Sequence, residues 1–133
     1  MSGIRCWNVY EVRRTATQEK MFIALYSREV YEFGQSVTKW TGFYINSEPQ
    51  CMAADAGCDV EIHRHSHEFL KYDSTINVGS TIEHYAGELD RRLGVIENGT
   101  CERVLQAVHE CGLLDRRVEV LVFGAARAVR ARL

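Results

Sequence analysis

Three of the chain's five histidines lie between Cys58 and Tyr72, in the run CDVEIHRHSHEFLKY. Two chemistries are open to these residues. Zinc takes imidazole nitrogen, thiolate and carboxylate in a tetrahedral shell. His63 with His65 or His67, joined by Cys51, Cys58, Asp59 or Glu61, offers all three donor types. Acid–base catalysis asks instead for an imidazole oriented by a carboxylate, which Asp59 or Glu61 would provide, and Cys58 beside a histidine would be a nucleophile.

Local patterning decides whether those groups meet. From Cys58 to His63 apolar and polar residues alternate, the period-2 signature of a half-buried strand. Cys58, Val60 and Ile62 then point to the core, and Asp59, Glu61 and His63 point away from it. Continuing the strand would bury Arg64 and Ser66, so it is expected to stop near His63 and give way to a turn or loop. A helix would bring His63 and His67 together at i, i+4, but nothing in the sequence caps one there. Cys58 and His63 thus fall on opposite faces, CxxC is absent, and a buried Cys58 is expected to be an inert small hydrophobe. No nucleophile elbow, protease cysteine signature or deaminase motif is present. The expectation is that the imidazoles do not converge, with no metal, no cofactor and no catalytic residue assigned.

Composition sets wider bounds. A chain of 133 residues with 46% hydrophobic and 26% charged residues fits one globular domain spanning 1–133. A formal net charge of −2 gives no strong basic field, so nucleic-acid binding is unlikely as a default. Five scattered cysteines, at 6, 51, 58, 101 and 111, do not read as a disulfide framework and favour a reducing, cytoplasmic setting. There is no signal-peptide pattern at the N-terminus and no apolar run of transmembrane length, so no membrane partner is expected.

The elements that must carry these residues follow in order. Ile4 to Val12 reads as a strand. Met21 to Phe33 fits either a helix or two strands, and its β-branched and aromatic content favours the strands. Thr38 to Asn46 is another strand, with Gly42 at a bulge. Ser47, Pro49 and Gln50 open a short helix through Ala56. Ser80 to Glu83 reads as a capping box that starts a helix ending before Gly94, and Thr100 caps a further helix that Gly112 stops. Val118 to Phe123 is expected as a final central strand. Strands early and helices late predict an α+β fold: a mostly antiparallel sheet with two or three helices packed on one side.

Function follows only in outline. Aromatic residues crowd the first forty-four positions, and Trp7, Tyr10, Trp40 and Tyr44 could line an apolar pocket or a self-association face. With His63, His65 and His67 they form the candidate ligand-binding set. The favoured reading is a non-catalytic domain that binds a small molecule or a partner and acts as a homo-oligomer, most simply a dimer. One rival is a metal-assisted or histidine-dependent enzyme using Asp59 to His67. Another is a protein that holds nucleic acid or an acidic partner through Arg116, Arg117, Arg127, Arg130 and Arg132.

Overall fold

A computed structural model describes residues 3–13, 20–46 and 58–130. Seven antiparallel strands form one sheet: β1 (Asn8–Val12), β2 (Lys20–Glu32), β3 (Gln35–Asn46), β4 (Asp59–Ile62), β5 (Ser74–Asn77), β6 (Ile82–Tyr85) and β7 (Leu89–Val95). Their order is β4-β5-β3-β2-β1-β7, and β6 also pairs with β3, beside Lys39 to Gly42. Helices α1 (Asn98–Cys111) and α2 (Arg116–Arg130) follow. Val104, Leu105 and Val108 of α1 and Val122 and Ala126 of α2 pack with Val9, Ile23, Phe43 and Ile76 of the sheet in one core. Both helices therefore cover the same face, and the α+β class read from the sequence is the one observed.

The other face carries a smaller core of Tyr10, Val12, Phe22, Ala24, Trp40 and Leu89. Two apolar faces explain why β2 is apolar at consecutive positions, Phe22 to Leu25, instead of alternating. The expected pair of strands is one long strand, Lys20–Glu32, and Phe33 falls in the turn after it with a left-handed φ of 54°. The register slips between Ala24 and Tyr26, so the bulge lies in β2 opposite Gly42, not at Gly42 itself. Gly42 has its own reason: a Cβ there would collide with the Ile23 carbonyl and the Phe22 ring.

Three expectations are corrected. Ser80 to Leu93 is not a helix but β6, a single 3-10 turn at Ala86–Glu88, and β7. Val118 to Phe123 is not a central strand but part of α2, where Val118 and Val122 face inward one turn apart while Val120 and Leu121 are exposed. Cys58 is buried as expected but is not free: it forms a disulfide with Cys111, with Cα atoms 5.1 Å apart. That bond ties the residue before β4 to the last residue of α1. The helix expected from Ser47 to Ala56, and Cys51 with it, lies outside the described residues. Helix α1 starts at Asn98, before the expected Thr100 cap, and ends as predicted at Gly112, whose φ of 66° is the left-handed cap conformation. No helix among the described residues is long and apolar enough to cross a membrane.

Candidate functional site

The expected half-buried strand is present as β4. Val60 and Ile62 are buried and Glu61 is exposed, and a turn begins at His63. The three imidazoles beyond it part company. His63 and His65 stack with ring centroids 5.4 Å apart, and His63 sits 3.7 Å from carboxylate oxygens of both Glu61 and Asp73. Asp73 accepts the Arg64 backbone N–H at 3.0 Å, and chiefly that bond holds its carboxyl below the usual carboxylate range. His67 turns inward and is only 3% exposed. Its Nε2 lies 3.2 Å from the Glu97 backbone nitrogen, and its Nδ1 lies 3.2 Å from the His63 carbonyl oxygen.

The backbone fixes the proton on that ring. Glu97 N–H must donate, so Nε2 accepts and Nδ1 carries the hydrogen toward the carbonyl. Glu97 is the N-cap of α1, so His67 fastens the β4–β5 connection to the helix start. Substituting His67→Ala strands a donor and an acceptor, and is expected to lower unfolding free energy by about 1–3 kcal/mol in urea titration. Among the described residues, no group of three or more His, Cys, Asp and Glu side chains is arranged to hold a metal ion.

The aromatic candidates divide between the two faces. Trp7 is buried in the helix-side core with a left-handed φ of 64°. Tyr10 and Trp40 belong to the opposite face, and the Tyr10 hydroxyl accepts the Arg5 N–H at 2.9 Å. Both indole N–H groups are buried, with no hydrogen-bond partner among the described residues. Tyr44, half-buried, is the one brought into a chemical arrangement: its hydroxyl is 2.6 Å from His84 Nε2. His84 is 7% exposed, its ring edge-on to Phe22 with centroids 5.1 Å apart. Behind it, Glu88 Oε2 lies 3.5 Å from Nδ1, and Glu88 Oε1 accepts the Tyr85 N–H at 2.9 Å. With the carboxylate on the Nδ1 side, Nδ1 carries the proton and Nε2 accepts from the tyrosine hydroxyl. A half-buried hydroxyl thus stands in front of an imidazole backed by a carboxylate.

Neither His84 nor Glu88 was among the sequence candidates. Ser80 to Leu93 read as a helix, which would have set His84 and Glu88 one turn apart on a polar face with Tyr44 nowhere near. Only the β3–β6 pairing, Trp40 opposite His84, brings Tyr44 within reach.

A pocket of about 340 Å³ lies between the sheet and the β4–β5 connection, where Met21, Phe69 and Leu93 border the helix-side core; Tyr44, His84 and Glu88 do not line it. Its volume is within the range that takes small organic groups. Lys20, Lys71 and Arg91 line it, against one carboxylate, Glu11, which pairs with Arg91 at 3.1 Å. Phe69 and the exposed Tyr72 supply ring surface. Lys20 belongs to both places, because its Nζ also sits 5.5 Å over the Tyr44 ring centroid. Arg116, Arg117 and Arg127 are exposed on α2 and do not line this pocket; Arg132 and the side chain of Arg130 lie outside the described residues.

No protein-family model matches the sequence, and no curated protein does. Among solved structures, the chain is similar to Mycobacterium tuberculosis toxin MazF-mt6, with 16% identity, a TM-score of 0.58, and coverage of 81% of this chain and 98% of that one. The likeness is one of fold.

Proposed function

We propose that this protein binds single-stranded RNA in the Lys20–Lys71–Arg91 pocket and cleaves it with the Tyr44–His84–Glu88 relay, in a toxin-like role. One observation carries the reading: Lys20 lines the basic pocket and its ammonium also lies over the Tyr44 ring, so one cation links the pocket to the acid–base group, and an RNA strand that follows it passes from one to the other. Three cations against one carboxylate favour a phosphodiester, and Tyr72 offers a face on which an unpaired base can stack. RNA supplies its own nucleophile, the 2′-hydroxyl, so cleavage needs a proton acceptor, a proton donor and positive charge near the phosphate.

In that scheme the 2′-hydroxyl gives its proton to the Tyr44 oxygen while the Tyr44 proton passes to His84 Nε2. Glu88 offsets the imidazolium charge. The 2′-oxygen bonds to the adjacent phosphorus, the bond from phosphorus to the 5′-oxygen breaks, and the relay returns the proton to that leaving oxygen. The products are a 2′,3′-cyclic phosphate and a 5′-hydroxyl, and the protein is unchanged. Lysine ammonium groups on the non-bridging oxygens stabilise the charge that builds in between.

The test is a short labelled single-stranded RNA beside DNA of the same sequence. The expected result is binding of both but cleavage of RNA alone, leaving cyclic-phosphate ends. Two uncut strands, or binding that ignores salt, would retire the reading. In anisotropy titrations the Lys20→Gln/Lys71→Gln double variant should lower the slope of log affinity against log salt by about 1.4, since each phosphate contact on a single strand contributes about 0.7.

A further inference from the structure

We infer that the Cys58–Cys111 disulfide is a redox latch on the basic pocket, so that reduction of the bond weakens RNA binding; the inference rests on the RNA reading above. The pocket has two walls of different origin. Glu11, Lys20 and Arg91 stand on β1, β2 and β7, and β1 pairs with β2 on one side and with β7 on the other. Phe69, Lys71 and Tyr72 stand on the connection between β4 and β5. That second wall reaches the core through Leu70 and Phe69, while Lys71 and Tyr72 beside them are exposed. Among the described residues strand β4 lies at the sheet edge and pairs with β5 alone, through the register Asp59 opposite Asn77 to Ile62 opposite Ser74.

Helix α1 holds this edge at both ends. At its N-terminal end, the Glu97 N–H donates to His67 Nε2. At its C-terminal end, Cys111 is bonded to Cys58, the residue before β4. The two fastenings make a frame of β4, its connection and α1. Between these ends the Arg103 guanidinium donates to the Glu61 carbonyl at 3.0 Å, and Val60 and Ile62 pack in the core with Val104 and Val108; the covalent corner is the bond a reductant removes.

The reductant is a dithiol. Cys58 is 6% exposed and Cys111 is more open, so the attacking thiolate reaches the Cys111 sulfur. A new sulfur–sulfur bond forms to Cys111, the Sγ–Sγ bond breaks, and Cys58 leaves as thiolate and takes a proton. The dithiol's second sulfur then displaces Cys111, which is protonated in turn. The reductant ends as a cyclic disulfide; two electrons and two protons have passed to the cysteine pair. Without that corner the Lys71–Tyr72 wall drifts out of register with Lys20. If the walls stay aligned in about a tenth of molecules, RNA affinity falls about ten-fold.

The experiment compares the oxidised full chain with the same protein treated with dithiothreitol, reading RNA anisotropy and amide hydrogen exchange together. Reduction should weaken binding and speed exchange in residues 59–73 by a larger factor than in β1 to β3, whose amides lose only the protection that the lower global stability removes. Cys111→Ser should match the reduced protein and ignore dithiothreitol. Equal affinity of the oxidised and reduced forms overturns the latch and leaves the RNA reading standing. An equal loss of protection in β1 to β3 and in residues 59–73 also overturns it, because the latch acts on one wall. Absence of RNA binding in the oxidised form overturns the RNA reading and the latch with it.

Discussion

The His84→Gln protein is expected to bind RNA as the parent does and to cleave it about 10²–10⁴-fold more slowly, the usual worth of a positioned acid–base group. Glutamine keeps an acceptor near the Tyr44 hydroxyl but cannot take up its proton at neutral pH. Affinity should hold because the pocket's cations, Lys20, Lys71 and Arg91, are untouched. The ring is nearly buried and packs edge-on to Phe22, so some loss of stability is expected, and a thermal melt must show the variant folded at the assay temperature. Tyr44→Phe is the companion variant. It keeps the ring beneath Lys20 and against Phe22, with centroids 6.2 Å apart in the parent, and removes only the hydroxyl. Both should lower kcat with KM little changed, as loss of an interaction made in the transition state does. Parent-like cleavage by both variants, with folding confirmed, would remove the relay from the mechanism.

What the sequence made legible depended on the range over which its signals act. The alternation from Cys58 to His63 is local, and β4 with its buried Val60 and Ile62 followed from it. Gly112 likewise marks the end of α1 because a left-handed cap needs no distant partner. Where the apolar period was ambiguous, tertiary context decided. Val118 to Phe123 has β-branched content that suits a strand, yet one exposed face and one buried face at helical spacing place it on α2. Ser80 to Glu83 satisfies the composition of a capping box while lying at a strand start against β3. The relay was hidden for the same reason: Tyr44 and His84 are forty residues apart and meet only because their strands pair. A formal charge of −2 spread over the chain gave no sign that Lys20, Lys71 and Arg91 gather round one pocket. The stacking of His63 on His65, and the inward turn of His67, were out of reach of spacing alone, since both depend on a tight turn and on the position of α1.

The disulfide carries the largest expected effect on stability. Cys58 and Cys111 are separated by 53 positions, so their bond closes a loop containing β4 to β7 and nearly all of α1. Cross-linking a loop of that size removes conformational freedom from the unfolded chain worth about 4 kcal/mol. That is a large share of the roughly 5–15 kcal/mol by which domains are stable. Reduction, or Cys111→Ser, is therefore expected to lower unfolding free energy by about 4 kcal/mol and the melting temperature by about 10–20 °C. Cys111→Ser is the cleaner substitution because Cys111 is only partly buried, whereas Cys58 sits in the helix-side core, where its thiol remains an acceptable small apolar group. The mechanism adds a signature: an effect that acts on the unfolded chain changes the urea m-value as well as the midpoint, because the reduced chain expands further. Coincident urea curves for oxidised and reduced protein, with two additional thiols titrating after reduction, would show that the bond adds nothing to the fold's stability. The cysteines would then belong to packing alone, as a buried unpaired pair would.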